Sequence, residues 1–185
     1  MTKILPFLFL LIWTEGLSSQ SLASIYSGRQ GEVRFLSEAP LESIEASSGQ
    51  LQGAINVEER KFAFLVDIRS FQGFNSALQR EHFQENYMES ELYPKAYFSG
   101  TFIGNVDLTQ NGRYRLRAKG HLFIHGKSQE RIIEGTIEVE KGIIKVESYF
   151  TVLLSDHDIN IPRIVTQKIA SEIRVWVNTS LTPRK

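Results

Sequence analysis

The sequence predicts an all-β fold, an antiparallel barrel or sandwich of about eight strands. Three observations carry that reading. Apolar residues fall on every second position through most of the chain, which is the pattern of strands with one wet face. The alternating runs are joined mostly by short turns. No repeat, linker or low-complexity tract divides the 185 residues, a length that suits one domain.

Taken in order, the chain begins with a segment of another kind. Lys3 precedes an apolar run from Ile4 to Trp13, and Thr14 to Ala23 is polar and rich in small residues, the layout of a secretory signal peptide. The run would rise only about 15 Å as helix, half a hydrocarbon core, so a membrane anchor is disfavoured. Cleavage after Ala23, with Ser21 two places before it, would leave residues 24–185 as an exported, periplasmic or secreted domain, and a cut near Ser19 or Gln20 also fits.

Weaker strand signals cover Gly31 to Ser37, Ile44 to Asn56 and Ala96 to Asp107. From Lys61 to Ile68, Phe62, Phe64, Val66 and Ile68 share one parity. In Arg113 to Ile124, Tyr114, Leu116, Ala118, Leu122 and Ile124 alternate with Arg113, Arg115, Arg117, Lys119 and His121. Ile133, Ile137 and Val139 alternate with Glu134, Glu138 and Glu140, and beyond the Lys141-Gly142 turn Ile144, Val146, Phe150, Val152 and Leu154 continue the pattern. Ile169 to Val177 closes the series, with Ile173, Val175 and Val177 against Glu172 and Arg174. Asn111-Gly112 reads as a two-residue hairpin turn, because a type I′ turn needs positive φ at both central residues. One stretch breaks the alternation. Ser76 to Gln79 fits a capping box, and Leu78, His82 and Asn86 recur at helical spacing, as do Phe83 and Tyr87. The spacing predicts a helix from Ser76 to Glu89, ending before the extended Tyr93-Pro94 step.

Composition narrows the chemistry. Lys plus Arg and Asp plus Glu are each 21, so the field that gathers nucleic acid is missing. The chain has no cysteine, which removes disulfides, thiolate metal sites and a sulfur nucleophile. His121 and His125 would lie about 13 Å apart on a strand, too far to share one metal ion. Asp156-His157-Asp158 reads foremost as a wet loop, and Ser155 has no G-x-S-x-G context for a hydrolase. Nothing calls for a cofactor or resident metal, or marks an enzyme.

Several stretches resemble the YceI-like family in order and spacing. They are Gly31-Glu32-Val33-Arg34-Phe35, Ala39-Pro40-Leu41, Phe64 to Phe71 leading to Asn75, and His82-Phe83. Tyr93 to Gly100, Gly120 to Gly126 and Leu154 to Pro162 complete the set. The resemblance covers essentially the whole mature chain. It implies an eight-stranded, antiparallel, lipocalin-like β-barrel with a short helix near one end and a long apolar lumen, which in characterised members holds a polyisoprenoid-type lipid. The acidic, polar segment from Glu81 to Ser90 departs from the family pattern.

The expected ligand is therefore a polyisoprenoid-like or other long-chain lipid, held for storage or transport. Parity assigns Phe62, Phe64, Val66, Phe98, Leu116, Leu122, Phe150, Val152, Ile173 and Val175 to the lumen wall. His82, Phe83, Asn86 and Tyr87 are expected to gate the lumen or meet the ligand's polar end. The alternatives are a metal-dependent enzyme or stress protein with His82, His157 and the flanking acids at the barrel mouth, and a small interaction module. Transient membrane contact and dimerisation stay open.

Overall fold

A computed structural model describes residues 24–104 and 106–184. The proposed leader, residues 1–23, lies outside the described residues. Eight antiparallel strands close into a barrel: β1 (Ile25–Glu38), β2 (Ser43–Asn56), β3 (Lys61–Asp67), β4 (Lys95–Ile103), β5 (Gly112–Ile124), β6 (Lys127–Glu140), β7 (Ile143–Leu153) and β8 (Glu172–Pro183). Each strand pairs with the next, and β8 returns to β1 through pairs such as Phe35↔Val175 and Val33↔Val177. Among the described residues the one α-helix, α1 (Ala77–His82), lies in the connection from β3 to β4.

The alternation in the sequence becomes the two faces of this wall. On β5, Leu116 and Leu122 are buried while Arg113, Arg115, Arg117 and Lys119 face solvent. The outward charges pair across strands, as in Arg115 with Glu134 at 2.7 Å and Lys119 with Glu130 at 3.2 Å. These exposed pairs favour the register but contribute little stability. Close approach of β4 and β5 explains two glycines. Gly100 and Gly120 face each other, and a Cβ on either would collide with the Lys119 or Ser99 carbonyl.

The ends of the barrel differ. At one end Tyr26, Ile55, Phe62, Phe102, Ile137, Ile144 and Leu181 form a tight core. The loop from β4 to β5 closes it with Leu108, which is 4% exposed. At the other end lie the β1–β2 turn, the α1 segment, the β5–β6 turn and the long β7–β8 connection.

Three local expectations are corrected. Asn111-Gly112 is no hairpin turn: β4 stops at Ile103, the intervening loop has Gly104 at positive φ, and Gly112 opens β5. Because Leu108 must reach the core, this connection is long. The two-residue turns with positive φ at both centres are instead His125-Gly126 and Lys141-Gly142. The predicted helix from Ser76 to Glu89 is α-helical only to His82 and continues as a π-turn, Phe83–Tyr87, where the Met88 amide bonds to the Phe83 carbonyl at 2.9 Å. The last strand starts at Glu172, not Ile169, and runs on to Pro183.

Candidate functional site

Capping sets the start of α1. Ser76 Oγ accepts the Gln79 amide at 3.1 Å, and the Gln79 side chain reaches back to the Asn75 amide at 3.0 Å, one residue before the usual capping-box partner. The Gln79 side-chain amide also donates to Glu42 Oε1 at 2.9 Å, tying α1 to the β1–β2 turn. One residue beyond α1, Phe83 joins an aromatic cluster. Its ring lies 5.4 Å from Phe35, 5.0 Å from Phe74 and 5.9 Å from Phe71. The extra residue of the π-turn lets Phe83 pack against β1 while Tyr87 and Met88 pack against Ile68 and Ile159.

Beneath this segment the barrel encloses a cavity of about 580 Å³. The size falls within the range of small-molecule sites. All ten residues placed on the lumen by parity line it: Phe62, Phe64 and Val66 from β3, Phe98 from β4, Leu116 and Leu122 from β5, Phe150 and Val152 from β7, and Ile173 and Val175 from β8. A second aromatic group, Phe62, Phe64, Phe98 and Phe102, lies deeper, with centroids 4.9 to 6.0 Å apart. Polar side chains gather at the rim, where Glu42, Gln79, His82 and Lys168 border the opening. Apolar walls with a few polar groups at one end suit a ligand with a long apolar body and a polar tip.

Of the four gate residues, His82, Phe83 and Tyr87 border the cavity, and burial pushes the Tyr87 phenol above its ordinary pKa. Asn86 is exposed and does not border the cavity. Phe35, Phe71 and Phe74 also line the cavity, beyond the sequence expectation, although Phe35 shares its parity with Val33. Glu42, Gln79 and Lys168 carried no signal, since the rim is built from three separate connections.

The histidine-carboxylate site of the alternative reading does not assemble. His157 is fully buried away from the cavity wall, with Nδ1 3.3 Å from the Lys127 carbonyl. Desolvation pushes its imidazole below the ordinary histidine range, against the opposing pull of the Lys127 and Ile124 carbonyls and Asp156. Asp158 pairs with Lys127 at 2.7 Å, and Asp156 lies 3.9 Å from Arg131. His125 spans two elements, with Nε2 2.7 Å from Glu89 Oε2 and Nδ1 3.0 Å from the His157 carbonyl. Among the described residues no three His, Cys, Asp or Glu side chains come together as a metal site.

Solved structures share this architecture. A polyisoprenoid binding domain from Saccharophagus degradans, implicated in plant cell wall breakdown, aligns with a TM-score of 0.73 and 11% identity, covering 88% of this chain and 99% of its own. Burkholderia cenocepacia BcnA aligns with a TM-score of 0.68 and 13% identity, covering 81% and 95%. The Campylobacter jejuni YCEI protein aligns with a TM-score of 0.55 and 17% identity, covering 68% and 73%. At these identities the likeness speaks for the fold alone. No curated protein matches the sequence significantly. The YceI-like domain model matches residues 27–181, nearly the whole barrel from β1 to β8, and the chain therefore belongs to the YceI-like family.

Proposed function

We propose that this protein is a lipid-binding barrel that holds a polyisoprenoid-like or other long-chain lipid in its lumen, for storage or transport and without catalysis. The observation that carries the reading is the cavity of about 580 Å³ with mostly aromatic and aliphatic walls, whose polar lining is limited to the rim and to Glu134, Thr136 and Ser148 on β6 and β7. The structural likeness to the polyisoprenoid binding domain from Saccharophagus degradans supports the same ligand class. A flexible apolar chain needs neither charge nor metal to bind. Burial contributes about 0.8 kcal/mol per methylene, before the cost of ordering the chain.

In this reading the ten wall residues contact the apolar chain, and His82 and Tyr87 at the rim meet its polar end. Phe83 anchors the cover. The leader from residue 1 to 23 directs export, and the lipid is exchanged with a membrane by transient contact at the rim. There the exposed Leu41, Leu78 and Ile164 offer apolar side chains to a bilayer. No helix among the described residues is long and apolar enough to cross a membrane.

Native mass spectrometry with extraction and identification of co-purified lipid tests the proposal. The expected result is one long-chain lipid per barrel, retained from the host or taken up from added prenol. A protein that neither retains nor takes up such a lipid would overturn it.

A further inference from the structure

The barrel wall is not equally closed all round. β6 and β7 share a ladder only from Gly135↔Ser148 to Glu140↔Ile143. Toward the rim, residues 127–134 continue to pair with β5, and residues 149–153 continue to pair with β8, but the two edges do not pair with each other. A ladder end leaves unpaired backbone groups on both strands, which in a closed barrel would ordinarily be joined. Side chains bridge this split instead. Ser148 Oγ donates to the Glu134 carbonyl at 2.7 Å, and Arg131 Nη2 donates to the Thr151 carbonyl at 2.9 Å. Nearest the rim, the turn at Leu154–His157 fills the split, with Gln129 Nε2 donating to the Asp156 carbonyl.

The foot of the split is where inside meets outside. A groove on the outer face, lined by Tyr149 and Trp176 together with the charged Glu32, Arg34, Arg115 and Glu147, shares Glu134, Gly135, Thr136, Ser148 and Val177 with the lumen wall. Gly135 and Ser148 are among the smallest residues available for this point, so little side chain separates the two spaces. The strand edges above it carry outward apolar residues: Ile132 is 53% exposed, Tyr149 52% and Leu153 42%. Elsewhere on β5 and β6 the outward positions are mostly charged. Ile132, Tyr149 and Leu153 give an apolar chain side-chain surface beside the unpaired seam, next to a Trp176 ring that Arg34 covers at 4.0 Å.

We propose that the β6–β7 seam is a side exit for the ligand's tail, so that chains too long for the lumen pass between Gly135 and Ser148 and lie along Tyr149 and Trp176. This inference rests on the lipid reading and adds a chain-length rule to it. The lumen alone sets an upper length, and the seam removes it. Side-chain bridges suit such a gate because each can be exchanged for water without breaking a backbone ladder.

The absence of cysteine from the chain allows a clean test. Glu134→Cys with Tyr149→Cys continues the register by one pair beyond Gly135↔Ser148 and puts a disulfide across the seam from outside the lumen. Tyr149→Asp is a second variant, which closes the exit to an apolar tail with a charge on the outer face and leaves the lumen unfilled. Dansyl-tagged farnesol and dansyl-tagged solanesol serve as short and long probes in fluorescence titrations. Closing the seam should lower solanesol affinity relative to farnesol on the order of tenfold, in the disulfide form and in Tyr149→Asp, and reduction of the disulfide should raise the ratio again. If both prenols bind and neither closed variant changes their ratio, the side exit is overturned while the lipid reading stands. If the unaltered protein binds neither probe, the lipid reading fails and the inference falls with it.

Discussion

Phe83 stacks on Phe35 with ring centroids 5.4 Å apart and planes 24° from parallel, joining the π-turn after α1 to the first strand of the barrel. The contact fastens the cover to the wall through apolar area, with Phe71 and Phe74 packed around it. Phe83→Ala removes the centre of that cluster. A fully buried Phe→Ala change costs about 3 to 5 kcal/mol, and the partial exposure of Phe83 puts the expected loss at about 2 to 3 kcal/mol. Denaturant unfolding would read it. An unchanged midpoint would show that the cluster does not hold the cover.

His82 and Asn86 form a built-in comparison, because both are exposed but only His82 borders the cavity. His82→Ala should lower lipid retention with little change in thermal stability. Asn86→Ala should leave both as they were. Retention can be followed by native mass spectrometry after dilution, and equal retention by the two variants would remove His82 from the site.

A buried neutral histidine makes stability depend on pH in one direction. The His157 pKa in the folded chain lies below its ordinary value of 6.5, so the unfolded chain takes up the proton first as pH falls. The contribution is fully present above that unfolded value and is lost as pH drops through it toward the folded pKa. Denaturant midpoints measured from about pH 8 down to about pH 5 should fall, and His157→Asn, which keeps a donor for the Lys127 carbonyl, should flatten the slope. An equally steep slope in the variant would place the titration elsewhere.

The wall of the barrel was legible because each strand has one apolar and one polar parity, and closure puts every apolar parity inside. This is why residues as far apart in sequence as Phe62 and Val175 could be assigned to one surface from alternation alone. The family resemblance supplied barrel rather than sandwich, since period two does not distinguish them. The ends were read less well. Asn111-Gly112 has the composition of a tight turn, but burial of Leu108 outweighs local turn preference. Asn86 has helical spacing from His82 yet does not border the cavity, which Phe83 and Tyr87 reach at the same spacing. The β6–β7 split is invisible in alternation, because strands keep their parity whether or not a neighbour pairs with them.

Glycine positions offer the sharpest test of the wall's geometry, because Gly100 and Gly120 meet facing backbone and Gly49 meets nothing. Gly100 and Gly120 sit opposite each other on β4 and β5, and a methyl group on either meets the facing strand's carbonyl rather than a movable side chain. The strands would have to separate, weakening the ladder on both sides. Gly100→Ala should therefore cost about 1 to 3 kcal/mol, in the range of overpacked interiors. Gly49 on β2 has nothing within 4 Å of a built Cβ, and Gly49→Ala should stay within about 0.5 kcal/mol of the parent, as unconstrained surface positions do. Thermal unfolding of the two variants side by side separates close backbone approach from the general effect of replacing a strand glycine. Equal stability of the pair would mean that β4 and β5 lie farther apart than the register requires.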